Sequence, residues 1–104
     1  MNTVIISGKI EIIDTELEKE TTVCKFTLLN MIYSGTKNAM VKTYIRCICY
    51  GAVAEYVNSE LYEGCNVICT GYIKFRTFIC NNTKIDKMYV YCNTVSILEQ
   101  EEYS

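Results

Sequence analysis

Histidine and proline are both missing from these 104 residues. Without histidine there is no mixed Cys/His metal site and no imidazole to serve as general base. Without proline every residue keeps a backbone N–H, which suits a chain made mostly of paired strands. No apolar run approaches the roughly 18 residues of a membrane-spanning helix. No GxSxG elbow, P-loop or HExxH occurs. The seven cysteines are odd in number, and no two have the CxxC spacing of a zinc site. No catalytic residue, metal site or cofactor is therefore expected.

Half of the residues are hydrophobic and 21% are charged. That composition predicts one folded domain with a single core. Cys47 and Cys49 share one strand face, as do Cys65 and Cys69, and Cys24, Cys80 and Cys92 lie in apolar strands. Buried free thiols in a reducing compartment are the expectation. Met1–Ile13 alternates and has Lys9 as its one cation, so it reads as a strand and not a signal peptide. The net charge of -2 is unevenly spread. Glu16, Glu18 and Glu20 fall in one early segment, and Glu99, Glu101 and Glu102 near the end. The middle is net positive, and local field governs the attraction of a polyanion.

Hydrophobic periodicity predicts five strands and one helix. Asn2–Ile13 turns Val4, Ile6, Ile10 and Ile12 inward, with Gly8 marking a bulge or a close backbone approach. Asp14–Thr21 reads as an acidic loop. Thr22–Met31 buries Cys24, Phe26 and Leu28, Ser34–Asn38 is a loop, and Met40–Tyr50 is the third strand. From Gly51 to Gly64 the period changes: Val53, Val57 and Leu61 form one stripe on a three-turn helix, with Gly64 as its C-terminal cap. Cys65–Cys80 is a long strand bent at Gly71, Asn81–Lys84 a hairpin turn, and Asp86–Leu98 the last strand. Three strands, a helix and two strands is the order of an OB-fold, an all-β five-stranded Greek-key barrel with a helix between strands 3 and 4. It would span residues 1–98, with 99–104 a short acidic tail.

Two strands mix cations and rings on one face. Met40–Tyr50 carries Lys42, Tyr44, Arg46 and Tyr50 there, with Ile48 on the same side. Cys65–Cys80 carries Tyr72, Lys74, Arg76 and Phe78. Solvation explains the charges but not the rings set between them. Cations for phosphates and flat platforms for bases are what a single-stranded nucleic acid requires. Tyr89 and Tyr91 are candidate platforms or, equally, subunit-interface residues. Tyr56 and Tyr62, on the helix, read as core or interface.

The residues resemble the bacterial single-stranded DNA-binding protein family. Met1-Asn2-Thr3-Val4-Ile5-Ile6-Ser7-Gly8 is similar to its opening, and Tyr44–Gly51 to its third strand. Ala54-Glu55 and Leu61-Tyr62-Glu63-Gly64 resemble its helix and the glycine that ends it. Val67–Gly71, Ile73, Arg76 and Phe78 follow its Val-x-x-x-Gly-x-Leu-x-x-Arg-x-aromatic pattern. The resemblance implies a cytoplasmic, nucleoid-associated homo-oligomer, a tetramer sooner than a dimer, that coats single-stranded DNA in replication, recombination and repair. It places base stacking on Tyr44, Tyr50 and Phe78, with Tyr33 the nearest counterpart of a further ring. Tryptophan is absent, so the platforms here are Tyr or Phe. The family's linker and acidic Pro-Phe tip have no counterpart, which argues against recruiting replication or repair proteins by that route.

The expected site is thus Tyr33, Tyr44, Tyr50, Tyr72 and Phe78 for stacking, and Lys9, Lys42, Arg46, Lys74, Arg76 and Lys87 for phosphates. The alternative is a dimeric, primosomal-type assembly module that binds protein partners and holds single-stranded DNA or RNA weakly.

Overall fold

The computed structural model describes residues 2–98. The expected acidic tail lies outside the described residues. The strands are β1 (Val4–Glu18), β2 (Thr21–Ser34), β3 (Ala39–Tyr50), β4 (Asn66–Cys80) and β5 (Thr83–Ile97), with helix α1 (Ala52–Glu60) between β3 and β4. They close into a barrel in the order β1-β2-β3-β5-β4, the OB-fold expected from the sequence. No helix among the described residues is long and apolar enough to cross a membrane.

The phase of β1 departs from the simple alternation. A bulge between Ile10 and Ile12 shifts the register, and one extra residue exchanges the two faces of a strand. Ile13, not Ile12, therefore packs against the core, and Ile12 is exposed. The expected acidic loop is strand as well. β1 pairs with β2 out to Glu18↔Thr21, leaving a two-residue turn at Lys19 and Glu20, both at positive φ. Asn81 and Asn82 turn the β4–β5 hairpin in the same way. Turns of this hand match the strand twist.

Gly8 and Gly71 are close approaches. A Cβ on Gly8 would sit 2.7 Å from the Leu29 carbonyl oxygen, and one on Gly71 would sit 1.9 Å from that of Tyr91. The β4–β5 register shifts from Thr70↔Thr94 to Gly71↔Cys92, so the extra residue is Asn93 on β5, and β4 runs unbroken through Gly71.

The helix is shorter than its pattern suggested. It ends at Glu60, with Leu61 as the C-cap residue, and Gly64 lies beyond it, donating its N–H to the Ile10 carbonyl. Ala54, Val57 and Leu61 are buried, and α1 packs against β1, β2, β3 and β5. The core joins these to Ile10, Phe26, Leu28, Val67, Val90 and Val95, together with Cys24, Cys47, Cys49, Cys65, Cys69 and Cys92. Six thiols are thus small core residues. Cys80 is the exception, exposed near the β4–β5 turn. Among the described residues no group of three Cys, Asp or Glu is arranged to hold a metal.

β3 and β5 run parallel and pair only at Cys47↔Val90 and Ile48↔Tyr91. From there the β2–β3 and β4–β5 hairpins continue in the same direction as two arms, paired to Ser34↔Ala39 and Cys80↔Thr83. Outside the barrel there is no core for the second face of an arm. Phe75, Ile79 and Met88, on the face of the β4–β5 arm opposite its cations, are exposed for that reason.

Candidate nucleic-acid interface

Residues directly opposite in a sheet share a face. The β4–β5 register sets Tyr72 beside Tyr91, Lys74 beside Tyr89, Arg76 beside Lys87 and Phe78 beside Ile85. Ile48 sits opposite Tyr91 across β3–β5, which brings Tyr50 to the same outer face. Three rings stack there. Tyr50 and Tyr91 have centroids 6.2 Å apart at 20°, and Tyr91 and Tyr72 5.4 Å apart at 13°.

Cations continue the row along the arm. Lys74 Nζ lies 5.7 Å from the Tyr91 ring centroid. The Arg76 guanidinium is flanked by Tyr89 at 5.5 Å and Phe78 at 5.7 Å, and Lys87 Nζ lies 5.4 Å from Phe78. Each such contact is worth about 0.5–1 kcal/mol at an exposed site, enough to bias a rotamer. The strip is therefore ordered while its rings stay accessible: Tyr50, Tyr72 and Phe78 are 42%, 39% and 37% exposed. Ile48 was expected to face solvent. It is fully buried although on this outer face, as is Val23, opposite Tyr50. Both stand outside the barrel core and give the ladder an apolar floor.

The electrostatics favour an anion. The one ion pair among the described residues joins Lys25 to Glu16 at 3.8 Å, so Lys42, Arg46, Lys74, Arg76 and Lys87 have no carboxylate partner there. Arg76 Nη1 is buried with no hydrogen-bond partner among the described residues. The Tyr50 hydroxyl is held above its usual pKa, chiefly by burial and then by Tyr91, with Arg76 opposing and Glu18 adding to the rise. It stays neutral at physiological pH, and the acidic β1–β2 hairpin borders that end of the ladder.

The structure brings together six of the expected residues: Tyr50, Tyr72, Lys74, Arg76, Phe78 and Lys87. It adds Tyr89 and Tyr91, which the sequence left open between platform and interface. Their alternation with Lys87 was the available signal. Lys42, Tyr44 and Arg46 lie on the outer face of the other arm, in register with Met31, Leu29 and Thr27. Arg46 and Tyr89 both line a small cleft of about 170 Å³, together with Ile12 and Asp14 of β1 and Lys25, Phe26 and Thr27 of β2. Tyr33, 58% exposed near the β2–β3 turn, hydrogen-bonds Asn38. Lys9 stands apart on β1, in a groove of about 520 Å³ with Ser7, Asn30 and Asn66. Tyr56 and Tyr62 are exposed and belong to neither the core nor the strip.

A five-stranded OB barrel with an accessible cation–aromatic strip is the class of architecture these features define. Among solved structures the chain is similar to the Plasmodium falciparum SSB in its complex with ssDNA. That match has a TM-score of 0.82 and 16% identity, and covers 95% of this chain and 96% of the other. It is also similar to the small single-stranded DNA-binding protein from Streptomyces coelicolor, with a TM-score of 0.71 and 14% identity over 91% and 92% of the two chains. At these identities the likeness establishes the fold. No protein-family model matches the sequence, and no curated protein matches it.

Proposed function

We propose that this protein binds single-stranded DNA with little regard to sequence. The observation that carries the reading is the continuous strip in which Tyr50, Tyr91, Tyr72, Tyr89 and Phe78 alternate with Lys74, Arg76 and Lys87. Bases stack on the rings, and every base has a π-face, so contacts tolerate any sequence. Phosphates take the cations and release their counterions. The unpartnered Arg76 Nη1 supplies a donor for a phosphate oxygen or a base acceptor. Lys42 and Arg46, on the outer face of the β2–β3 arm, add cations beyond the strip, with Arg46 beside Tyr89 at the small cleft. Binding, not catalysis, is the activity, and it serves to coat and protect single strands during replication, recombination and repair. A homo-oligomer, most simply a tetramer, is the working form, acting on cytoplasmic DNA.

The test is fluorescence anisotropy with labelled oligo-dT, titrated at several salt concentrations against duplex and RNA competitors. Tight, salt-sensitive binding that duplex does not displace supports the reading, and no binding at low salt ends it. One observation favours a second reading. The reverse face of the β4–β5 arm exposes Phe75 (62%), Ile79 (74%) and Met88 (40%), a surface suited to a protein partner of the assembly-module kind. Weak binding of oligo-dT by a stable dimer would favour that alternative.

A further inference from the structure

Among the described residues, each arm strand has one edge that no other strand covers. β3 meets β5 only at Cys47 and Ile48, β4 leaves β1 after Gly71, and β2 leaves β1 beyond Leu29. Open edges are templates for strand pairing, and charged side chains commonly guard them. Three of these edges are guarded. The free run of β3 carries Lys42 and Arg46, that of β4 Lys74 and Arg76, and that of β5 Lys84, Asp86 and Lys87. The Asn2 side chain also caps β4, accepting from the Ile73 N–H and donating to the Ile73 carbonyl. The free run of β2, Asn30-Met31-Ile32-Tyr33-Ser34, has no charge, no proline and no bulge.

The ladder tells which groups that edge offers. Gly51 donates its N–H to the Thr22 carbonyl, so the two form a hydrogen-bonded pair. Bonded and non-bonded pairs alternate along antiparallel strands, which makes Asn30↔Thr43 and Ile32↔Val41 bonded pairs. Met31 and Tyr33 therefore turn their N–H and C=O groups away from β3, to the side that β1 has left. The groove of about 520 Å³ opens there, with Met31 and Lys9 among its walls. On its β1 side the Ser7 carbonyl is already taken by Asn30 Nδ2 at 2.8 Å. The side chains of the run are exposed as well: Ile32 is 60% accessible, and Met31 and Tyr33 are likewise open to solvent.

We propose that this edge is the pairing surface for a second copy of the chain, the two β2 strands running antiparallel about a two-fold axis at Ile32. The run is self-complementary in that register. Met31 and the partner's Tyr33 exchange both N–H···O bonds, as do Tyr33 and the partner's Met31. Ile32 lies against the partner's Ile32, and Asn30 beside the partner's Ser34, so no charge is set against its like. The partner's β2–β3 turn then comes to the groove, which has room for it. Residues opposite each other share a face, and Met31 and Tyr33 share theirs with Lys42, Tyr44 and Met40. Pairing joins Tyr33, Lys42 and Tyr44 of the two copies into one cationic and aromatic surface that neither has alone. That surface is a second strip for single-stranded DNA, a role that rests on the function proposed above.

The experiment measures the mass of the full chain in solution by light scattering, with Cys80→Ser in every sample so that the exposed thiol takes no part. Ile32→Lys sets like charges opposite each other at the axis. It should halve the mass of the assembly and leave the circular dichroism spectrum unchanged. Ile32→Glu should do the same, and an equimolar mixture of the two variants should restore the parent mass. Ile32→Cys should yield a covalent dimer on oxidation, linked through the substituted position. Ile32→Lys should also weaken long oligo-dT several-fold while short oligo-dT binds as before. A monomeric parent, full mass in Ile32→Lys, or no recovery on mixing would overturn the pairing. Equal affinity of parent and Ile32→Lys for long oligo-dT would overturn the second strip. A paired parent that binds no oligo-dT would end the single-strand reading, and the second strip with it, while supporting the interface.

Discussion

Tyr91 occupies the centre of the ladder, touching Tyr50, Tyr72 and Lys74 at once. A ring in that position supports its neighbours as well as a base. Tyr91→Ala should weaken oligo-dT binding by about 1–3 kcal/mol, the range for one stacked base, and Tyr72→Ala should do the same. Tyr62→Ala, on an exposed ring remote from the strip, should leave affinity unchanged in the same titration. Gly71 acts on the same ring from below. Its missing Cβ leaves room for the Tyr91 carbonyl, so Gly71→Ala must push β4 from β5. A loss of more than about 2 kcal/mol in urea unfolding is expected, the upper range for overpacking. At this scale much of the site was legible: Tyr50, Tyr72, Lys74, Arg76, Phe78 and Lys87 share one strip because parity along β3, β4 and β5 dictates it. Lys9 lies apart from that strip, in its own groove on β1, since parity says which face a residue takes and not which strands become neighbours.

The elements carry their own lesson. β1 was read as a strand followed by a loop because Glu16, Glu18 and Glu20 look like a solvated segment. In the barrel those carboxylates occupy the outer side and tip of a hairpin whose ladder runs to Glu18↔Thr21. Composition reports exposure there, not the absence of pairing. The turn itself is poorly chosen, for Lys19 and Glu20 both adopt positive φ, a conformation that Asn and Gly accept far more readily. Replacing them with Asn-Gly should stabilise the fold by about 1–2 kcal/mol, read as a higher urea midpoint at an unchanged slope. The bulge at Glu11 was likewise invisible to a period-two count, which has no means of detecting one inserted residue.

For the whole molecule, the distribution of charge outweighs its sum. The acidic β1–β2 hairpin and the cationic arms are separate regions of a chain with net charge -2, so salt should act locally. Five cations, Lys42, Arg46, Lys74, Arg76 and Lys87, each neutralising one phosphate, give a log–log salt slope of about −3.5, at roughly −0.7 apiece. Neutralising Lys42 and Arg46 together should reduce the slope by about 1.4 if the strand contacts both arms. A slope unchanged by that pair would confine the path to the β4–β5 arm. The oligomer is tested by light scattering: a tetramer is expected, and a dimer with weak DNA affinity would favour the assembly reading.

The sequence by itself determined the order of elements, the inward and outward parity of most strands, and the absence of imidazole chemistry. These are local properties, set by residue type and by periods of 2 and 3.6. Only the tertiary structure decided that β3 and β5 meet in parallel, that two arms leave the barrel on the same side, and that Tyr89 and Tyr91 complete the ring ladder. It also left the β2 edge uncovered beyond Leu29. Each depends on which distant segments become neighbours when the barrel closes, and no count along one strand contains that information.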